Sequence, residues 1–244
     1  MRFIIWILLL CAGLHGNTQM LLNPYLHTSA PSFVPSDIAG LSLWSRADQI
    51  SASDGDAIDT WTDLSGNGNH STQSDATKKP TYKTNIINGK PVLRFDALDD
   101  AMDNNLIISN PYTIFIVEYF STNTANSRTI NSITVNALIS GGRSGNNSVY
   151  VDGNVSDYYT TAPAKVMLNL QTGATNMVYR VNGIDRTSSS LSSRDFGHLH
   201  LGTDVVYAEP AACDIAEIIV YNSSLSDANR TLVQTYLNNK YAIY

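Results

Sequence analysis

Trp61-Thr-Asp-Leu-Ser-Gly-Asn-Gly-Asn-His-Ser-Thr-Gln73 is the stretch on which the reading of the fold turns. A strand-like run over 57–63, carrying Ile58 and Trp61, passes here into a segment rich in Gly, Asn and Asp, residues that close tight loops. Upstream, Leu41-Ser-Leu-Trp-Ser-Arg-Ala-Asp48 alternates leucine with polar residues, the spacing of a strand. Downstream come Pro91-Val-Leu-Arg-Phe-Asp96 and Asp214-Ile-Ala-Glu-Ile-Ile-Val-Tyr-Asn222. Further strand signals fall at 106–109, 113–120, 137–141, 148–151, 165–171, 176–181 and 198–202, with turn residues between them, the pattern of a sandwich. The run over 113–120 is almost wholly apolar and β-branched or aromatic, which predicts a central strand.

Turn chemistry agrees. Asn88-Gly89, Asp152-Gly153 and Asn182-Gly183 each separate two strand-like runs. Such pairs tolerate the positive φ that two-residue hairpins need. The period changes at the C-terminus. Ser226 can cap a helix over 227–240, with Asp227 in the first turn where the dipole favours negative charge. Leu232, Val233, Tyr236 and Leu237 would form its apolar stripe.

Composition narrows the function classes. The 244 residues suit one all-β domain with a core large enough to fold without disulfides. Charged residues are 15% of the chain and the formal net charge is −6. An acidic chain whose only adjacent basic pair is Lys78-Lys79 lacks the concentrated positive charge that phosphate contacts require, so nucleic acid is not an expected partner. Residues 1–19 read as a signal-peptide-like leader: Arg2, an apolar run over 3–10, then small residues at Cys11-Ala-Gly13. The run is shorter than the roughly 20 residues of a membrane-spanning helix, so an integral membrane protein is not expected. Met20-Leu-Leu-Asn-Pro-Tyr25 offers a competing start. Of the two cysteines, Cys11 lies in the leader, and Cys213 precedes an apolar strand and reads as a buried small hydrophobe.

The four quoted segments, followed in order by the C-terminal helix, resemble the concanavalin A-like lectin/glucanase superfamily in its laminin-G-like jelly-roll branch. The resemblance implies an all-β, two-sheet antiparallel jelly-roll sandwich with one C-terminal α-helix. It covers a sandwich domain over 38–244, and the leader (1–19) and an extended, Pro-rich N-terminal arm (20–37) precede it. It implies core positions for Trp44 and Trp61 and a structural role for Glu217. Where the family commonly has Phe-Asp-Gly followed by an acidic pair, this chain has Phe95-Asp96-Ala97-Leu98 and then Asp99-Asp100.

Glycosidases of that superfamily carry a Glu-x-Asp-x-Glu type strand, and retaining hydrolysis needs an acid and a nucleophile roughly 5–5.5 Å apart. The chain has three glutamates, Glu118, Glu209 and Glu217, none with a carboxylate two residues away. Calcium, which takes six to eight hard oxygen ligands, has two candidate loops: one with Asp63 and Asn67, the other with Asp96, Asp99, Asp100 and Asp103. Asp and Asn also close loops with no metal. His198 and His200 alternate onto one strand face, but zinc needs a third ligand and none is evident. A sugar site pairs aromatic surface with fixed polar groups. Arg143, Tyr158 and Tyr159 provide that set, with Asp99 as the next acidic neighbour. The expectation is a non-catalytic recognition or adhesion module, secreted or surface-displayed, binding a glycan or a surface glycoprotein at a loop rim or on the concave sheet face, with calcium as its one candidate cofactor. The alternative is a structural or receptor-binding component of a viral particle, displayed on the virion surface with assembly partners. A glycoside hydrolase is the last of the three readings.

Overall fold

β-Branched and aromatic runs broken by Gly, Asn and Asp turns fold into strands that are nearly all short. The computed structural model describes residues 32–120, 126–134, 137–143, 146–151, 154–158, 164–173, 175–187, 192–204 and 208–244. In chain order the first strands are β1 (Leu41–Arg46), β2 (Thr60–Trp61), β3 (Ser71–Thr72), β4 (Thr81–Ile87), β5 (Lys90–Asp96), β6 (Met102–Ile108), β7 (Thr113–Phe120) and β8 (Ile130–Ser132). Then come β9 (Ala137–Ser140), β10 (Gly142–Arg143), β11 (Asn146–Val151), β12 (Asn154–Tyr158), β13 (Ala164–Thr172), β14 (Met177–Val181), β15 (Ile184–Asp185), β16 (Gly197–Leu201), β17 (Ala212–Tyr221) and the helix α1 (Asp227–Tyr241). They form two antiparallel sheets. The eight-stranded sheet runs β15-β14-β13-β7-β17-β5-β4, with β1 also on β17. The nine-stranded sheet runs β10-β11-β9-β8-β16-β6-β3-β2, with β12 on β11. The fold is a two-sheet antiparallel β-sandwich with one C-terminal helix.

Two apolar layers hold it together. Trp61, Leu93, Phe95, Ile114, Ile116, Leu199 and Leu201 belong to the layer between the sheets. Trp44, Phe115, Val117, Ile219, Val233, Leu237 and Tyr241 form the second, between the eight-stranded sheet and α1. β7 feeds both, Ile114 and Ile116 into the first and Phe115 and Val117 into the second. That is why its sequence is a continuous apolar run rather than an alternating one. Trp44 and Trp61 are both packed, as expected.

The helix is capped where the sequence placed it: Asn229 N–H donates to Ser226 Oγ at 3.2 Å, and Ala242 ends it at φ 49°. Its stripe is corrected in one place. Leu232 is 46% exposed, and the buried residues are Val233, Leu237 and Tyr241. Those three follow i, i+4, i+8, whereas Leu232 sits about 100° around the helix from Val233. Among the described residues no helix is long and apolar enough to cross a membrane.

Asn88 (φ 48°) and Gly89 (φ 72°) join β4 to β5, and Asn182 (φ 51°) and Gly183 (φ 75°) join β14 to β15, as their sequences predict. Asp152-Gly153 lies outside the described residues. The single strand expected over 57–63 is not formed. Ala57 bridges to Thr81 of the eight-stranded sheet, while Trp61 pairs with Ser71 of the other. The segment crosses between sheets and cannot be one strand.

Candidate functional site

β5, β7, β9, β12 and β16 end, and β6, β8, β11, β13 and β17 begin, at one end of the sandwich. Register fixes this. Asp96 pairs with Ala212, Phe120 with Cys213 and Ala164, Leu201 with Met102 and Ile130, and Asn147 with both Gly142 and Tyr158. Of the residues singled out in the sequence, Asp96, Asp99, Asp100, Arg143 and Tyr158 therefore belong to one rim. The backbones of β10 and β12 set Arg143 and Tyr158 on either side of β11. Tyr159 lies outside the described residues.

The acidic part of the rim is the loop after β5. Asp96 Oδ1 accepts from Leu98 N–H at 2.8 Å, and Asp100 Oδ2 accepts from Asp96 N–H at 3.1 Å. The turn places Ala97 at φ 67°, backbone that a Gly would enter freely and that an L-residue enters at about 1–2 kcal/mol. Asp96, Asp99 and Asp100 each present a carboxylate oxygen within 4.8 Å of the others, and no other such group of three or more His, Cys, Asp or Glu occurs among the described residues. Burial first, then the charge of Asp96, pushes the Asp100 carboxyl up to about 7. Three converging oxygens fit a hard cation such as calcium in ligand type, though they are fewer than it takes. The loop rests on Gly202, where an added Cβ would lie 2.4 Å from the Asp100 carbonyl oxygen and 2.3 Å from Phe95. Beside it, Asp204 Oδ1 accepts from Ala208 N–H at 2.7 Å, and Arg128 pairs with Glu209. That ion pair and the demand for Gly202 left no readable signal in the sequence.

The other calcium candidate is built differently. Asp63 is only 6% exposed. Its Oδ1 accepts from Trp44 N–H (3.0 Å) and Ser65 N–H (2.8 Å). Its Oδ2 accepts from Ser65 Oγ (2.7 Å) and Asn69 N–H (3.0 Å). Asn67 Nδ2 donates to the Leu41 carbonyl at 2.9 Å. Four donors already take up the Asp63 carboxylate, and the Gly-Asn loop is a latch that fastens onto β1.

Two glutamates are enclosed. β17 carries a bulge between Ile215 and Glu217. The extra residue turns both Ala216 and Glu217 toward the helix layer. There Glu217 accepts from Trp44 Nε1 (2.7 Å), Tyr236 OH (3.0 Å), Lys240 Nζ (2.8 Å) and Tyr241 OH (2.8 Å). Its structural role is thus explicit: it ties β1 and α1 to β17. Glu118 alternates to the opposite side, into the layer between the sheets, where Ser140 Oγ donates to Oε1 and Oε2 has no partner. Burial pushes its carboxyl up to about 8. Cys213 lies buried near it, its thiol raised by burial and then by Glu118.

His198 and His200 do project to one face, the outer face of the nine-stranded sheet. His200 Nδ1 lies 2.7 Å from Asp103 Oδ1, and no third metal ligand joins the two histidines among the described residues. A polar cleft of about 400 Å³ opens on the same face, lined by Thr60, Thr72, Gln73, Lys79 and Asp103 among others.

No protein-family model matches the chain, and no curated protein matches it in sequence. Solved structures do share its fold. Domain 4 of the extracellular arabinanase AbnA from Geobacillus stearothermophilus, in complex with arabinotriose, superposes with a TM-score of 0.60 at 15% identity, covering 78% of this chain and 96% of that one. The receptor-binding domain of botulinum neurotoxin D gives 0.58 at 14%, covering 84% of this chain and 54% of that one. Trypanosoma rangeli sialidase with the inhibitor DANA gives 0.57 at 12%, covering 83% and 34%. The chain thus spans about half of the toxin domain and a third of the sialidase. At these identities the likeness shows the fold alone.

Proposed function

We propose that the chain is a non-catalytic carbohydrate-recognition module of the concanavalin A-like type, exported through the leader-like segment 1–19, with its site on the rim after β5. The observation that supports this reading is that Asp96, Asp99, Asp100, Arg143 and Tyr158 all lie at one end of the sandwich. Neighbours of the same fold add support, since one is seen with arabinotriose and another is a receptor-binding domain. The non-catalytic part rests on the glutamates. Glu118 and Glu217 are buried away from any substrate, and Glu209 is paired with Arg128. Calcium bound by Asp96, Asp99 and Asp100 would relieve their mutual repulsion and hold the rim in shape. The test is glycan binding by a Tyr158→Ala/Tyr159→Ala double variant and by Arg143→Ala. Each should weaken binding about tenfold, or roughly 1.4 kcal/mol, without lowering the melting temperature. Wild-type affinity in both would place the site elsewhere.

A further inference from the structure

β16 runs directly into the seat of the acidic loop. Leu201 pairs with Met102 on one side and with Ile130 on the other, and the next residue is Gly202, against which the Asp100 carbonyl lies too close for any Cβ. Gly202 is itself held on both sides: its N–H donates to the Thr129 carbonyl at 2.9 Å, and its carbonyl accepts from Ala211 N–H at 2.9 Å. His200 stands two residues before this seat, and its cross-strand partner Asp103 stands three residues after Asp100. The contact between them, His200 Nδ1 to Asp103 Oδ1 at 2.7 Å, therefore closes the base of the loop. It joins the strand on which the loop rests to the strand into which the loop runs.

His200 has a place for one proton and none for a second. The Asp103 carboxylate only accepts, so Nδ1 carries a proton and donates it. The residue is 4% exposed, and its Nε2 is enclosed without a partner. Asn131 on the other neighbouring strand offers an acceptor, Oδ1, yet that atom is also without a partner, so the two do not meet. A second proton would turn Nε2 into an enclosed donor with nothing to receive it and would put a charge where water does not reach. The charged and titratable groups that face the ring are Asp103 from β6, His198 from β16 itself and Asp204 beyond its end, while β8 presents the neutral Asn131. The two carboxylates favour the charged ring and His198 opposes it. The Asp103 side chain is 66% exposed, so water screens its pull. Burial outweighs both acids and holds His200 below the usual histidine range.

We infer that His200 is an acid-sensitive clasp at the base of the rim: neutral, it fastens β16 to β6 beneath the Asp96–Asp100 loop, and protonation at Nε2 frees β16 and the loop with it. A proton is welcome at Nε2 only once that atom reaches water, so acid favours the open strand over the closed one. The sign follows from linkage. The open strand takes up the proton near 6.5, the closed strand only at lower pH. The clasp is therefore fully closed above 6.5 and weakens as pH falls below it. The inference rests on the rim reading for what the clasp governs, but a ligand is not needed to test it.

The experiment is amide hydrogen exchange on the full chain at pH 7, 6 and 5, corrected for the intrinsic pH dependence of exchange. The wild type is compared with His200→Asn, whose side-chain amide can donate to Asp103 as Nδ1 does and does not titrate. Below about 6.5 the opening constants of the β16 and Gly202 amides should rise in the wild type, relative to the variant, by up to about tenfold per pH unit. Those of Asp96 and Leu98, whose amides the loop's own carboxylates hold, should rise with them. Asp100 and Glu118 titrate with the opposite sign, but they are common to both proteins and cancel in the ratio. A ratio that does not change with pH would overturn the inference, as would opening of β16 that leaves the loop amides protected. Should His200→Asn fail to fold, the nitrogen chemical shifts of labelled histidine in the wild type decide. A neutral ring protonated at Nδ1 that persists below 6.5 supports the clasp, and a midpoint at or above 6.5 overturns it. Absence of glycan binding at every pH would sink the rim reading and leave the clasp standing.

Discussion

Replacing Glu118 with Gln should abolish a steep pH dependence of stability. Glu118 is fully buried between the sheets with one oxygen unpartnered, and its carboxyl is pushed from 4.5 up to about 8. In the unfolded chain the proton leaves near 4.5, while the folded protein keeps it until about 8. Because the folded value is raised, the stabilising contribution is full below 4.5 and declines as pH rises toward 8. Within that window one proton corresponds to a loss of about 1.4 kcal/mol per pH unit. From pH 5 to pH 7 the wild type should therefore lose about 3 kcal/mol that Glu118→Gln does not. Asp100, pushed up to about 7, adds a slope of the same sign, but it is common to both proteins and cancels in the difference. The assay is urea unfolding of both proteins at pH 5, 6 and 7, and the quantity is the difference in stability at each pH. The amide leaves its own unpartnered donors, so the absolute offset is free. Its growth with pH is what the argument fixes. Parallel profiles, with a constant offset, would show that Glu118 is not held protonated in the core.

Glu217→Leu should be among the most damaging single changes outside the apolar core. It removes the acceptor of four donors; the Lys240 ammonium keeps Asp48 at 3.0 Å, but Trp44, Tyr236 and Tyr241 lose theirs, at about 1–3 kcal/mol for each buried group left unmade. At about 2–4 °C per kcal/mol, a thermal melt should show a fall of roughly 10 °C; a fall under about 2 °C would mean the cluster is dispensable. Millimolar calcium should raise the melting temperature through linkage, and Asp100→Asn should remove the rise. No shift in either protein would leave the Asp96–Asp100 loop as a metal-free turn. Cys213 should resist iodoacetamide in the native state and react once unfolded, since burial raises its thiol well above the usual range.

Local signals in the sequence carried the parts of the fold that local chemistry decides. Ser226 and Asp227 announce the helix start because a cap needs only neighbours. The unbroken apolar run of β7 announces a strand covered on both faces. β4 and β12 were announced only by their turns, Asn88-Gly89 and Asp152-Gly153, because they are edge strands: β4 exposes Thr84 and Asn85 and bends at Asn85 (φ 60°), so no clean alternation survives. The crossing of 57–63 between sheets depends on partners the segment itself does not name. The rim was half legible. Its acidic and aromatic members stood out by type, but their placement at one end follows from strand direction, which sequence spacing does not contain. Glu217 was readable as structural, whereas its bond to Trp44 joins residues 173 positions apart. Glu118, a lone carboxylate in an apolar strand, was the visible sign of the buried polar group between the sheets.

The most direct test of the account is a glycan array probed with the full chain, with and without calcium, followed by analysis of the bound sugars. The account predicts that at least one glycan is retained and recovered intact. Retention of none, or release of shorter products from those retained, would contradict a non-catalytic carbohydrate-recognition module.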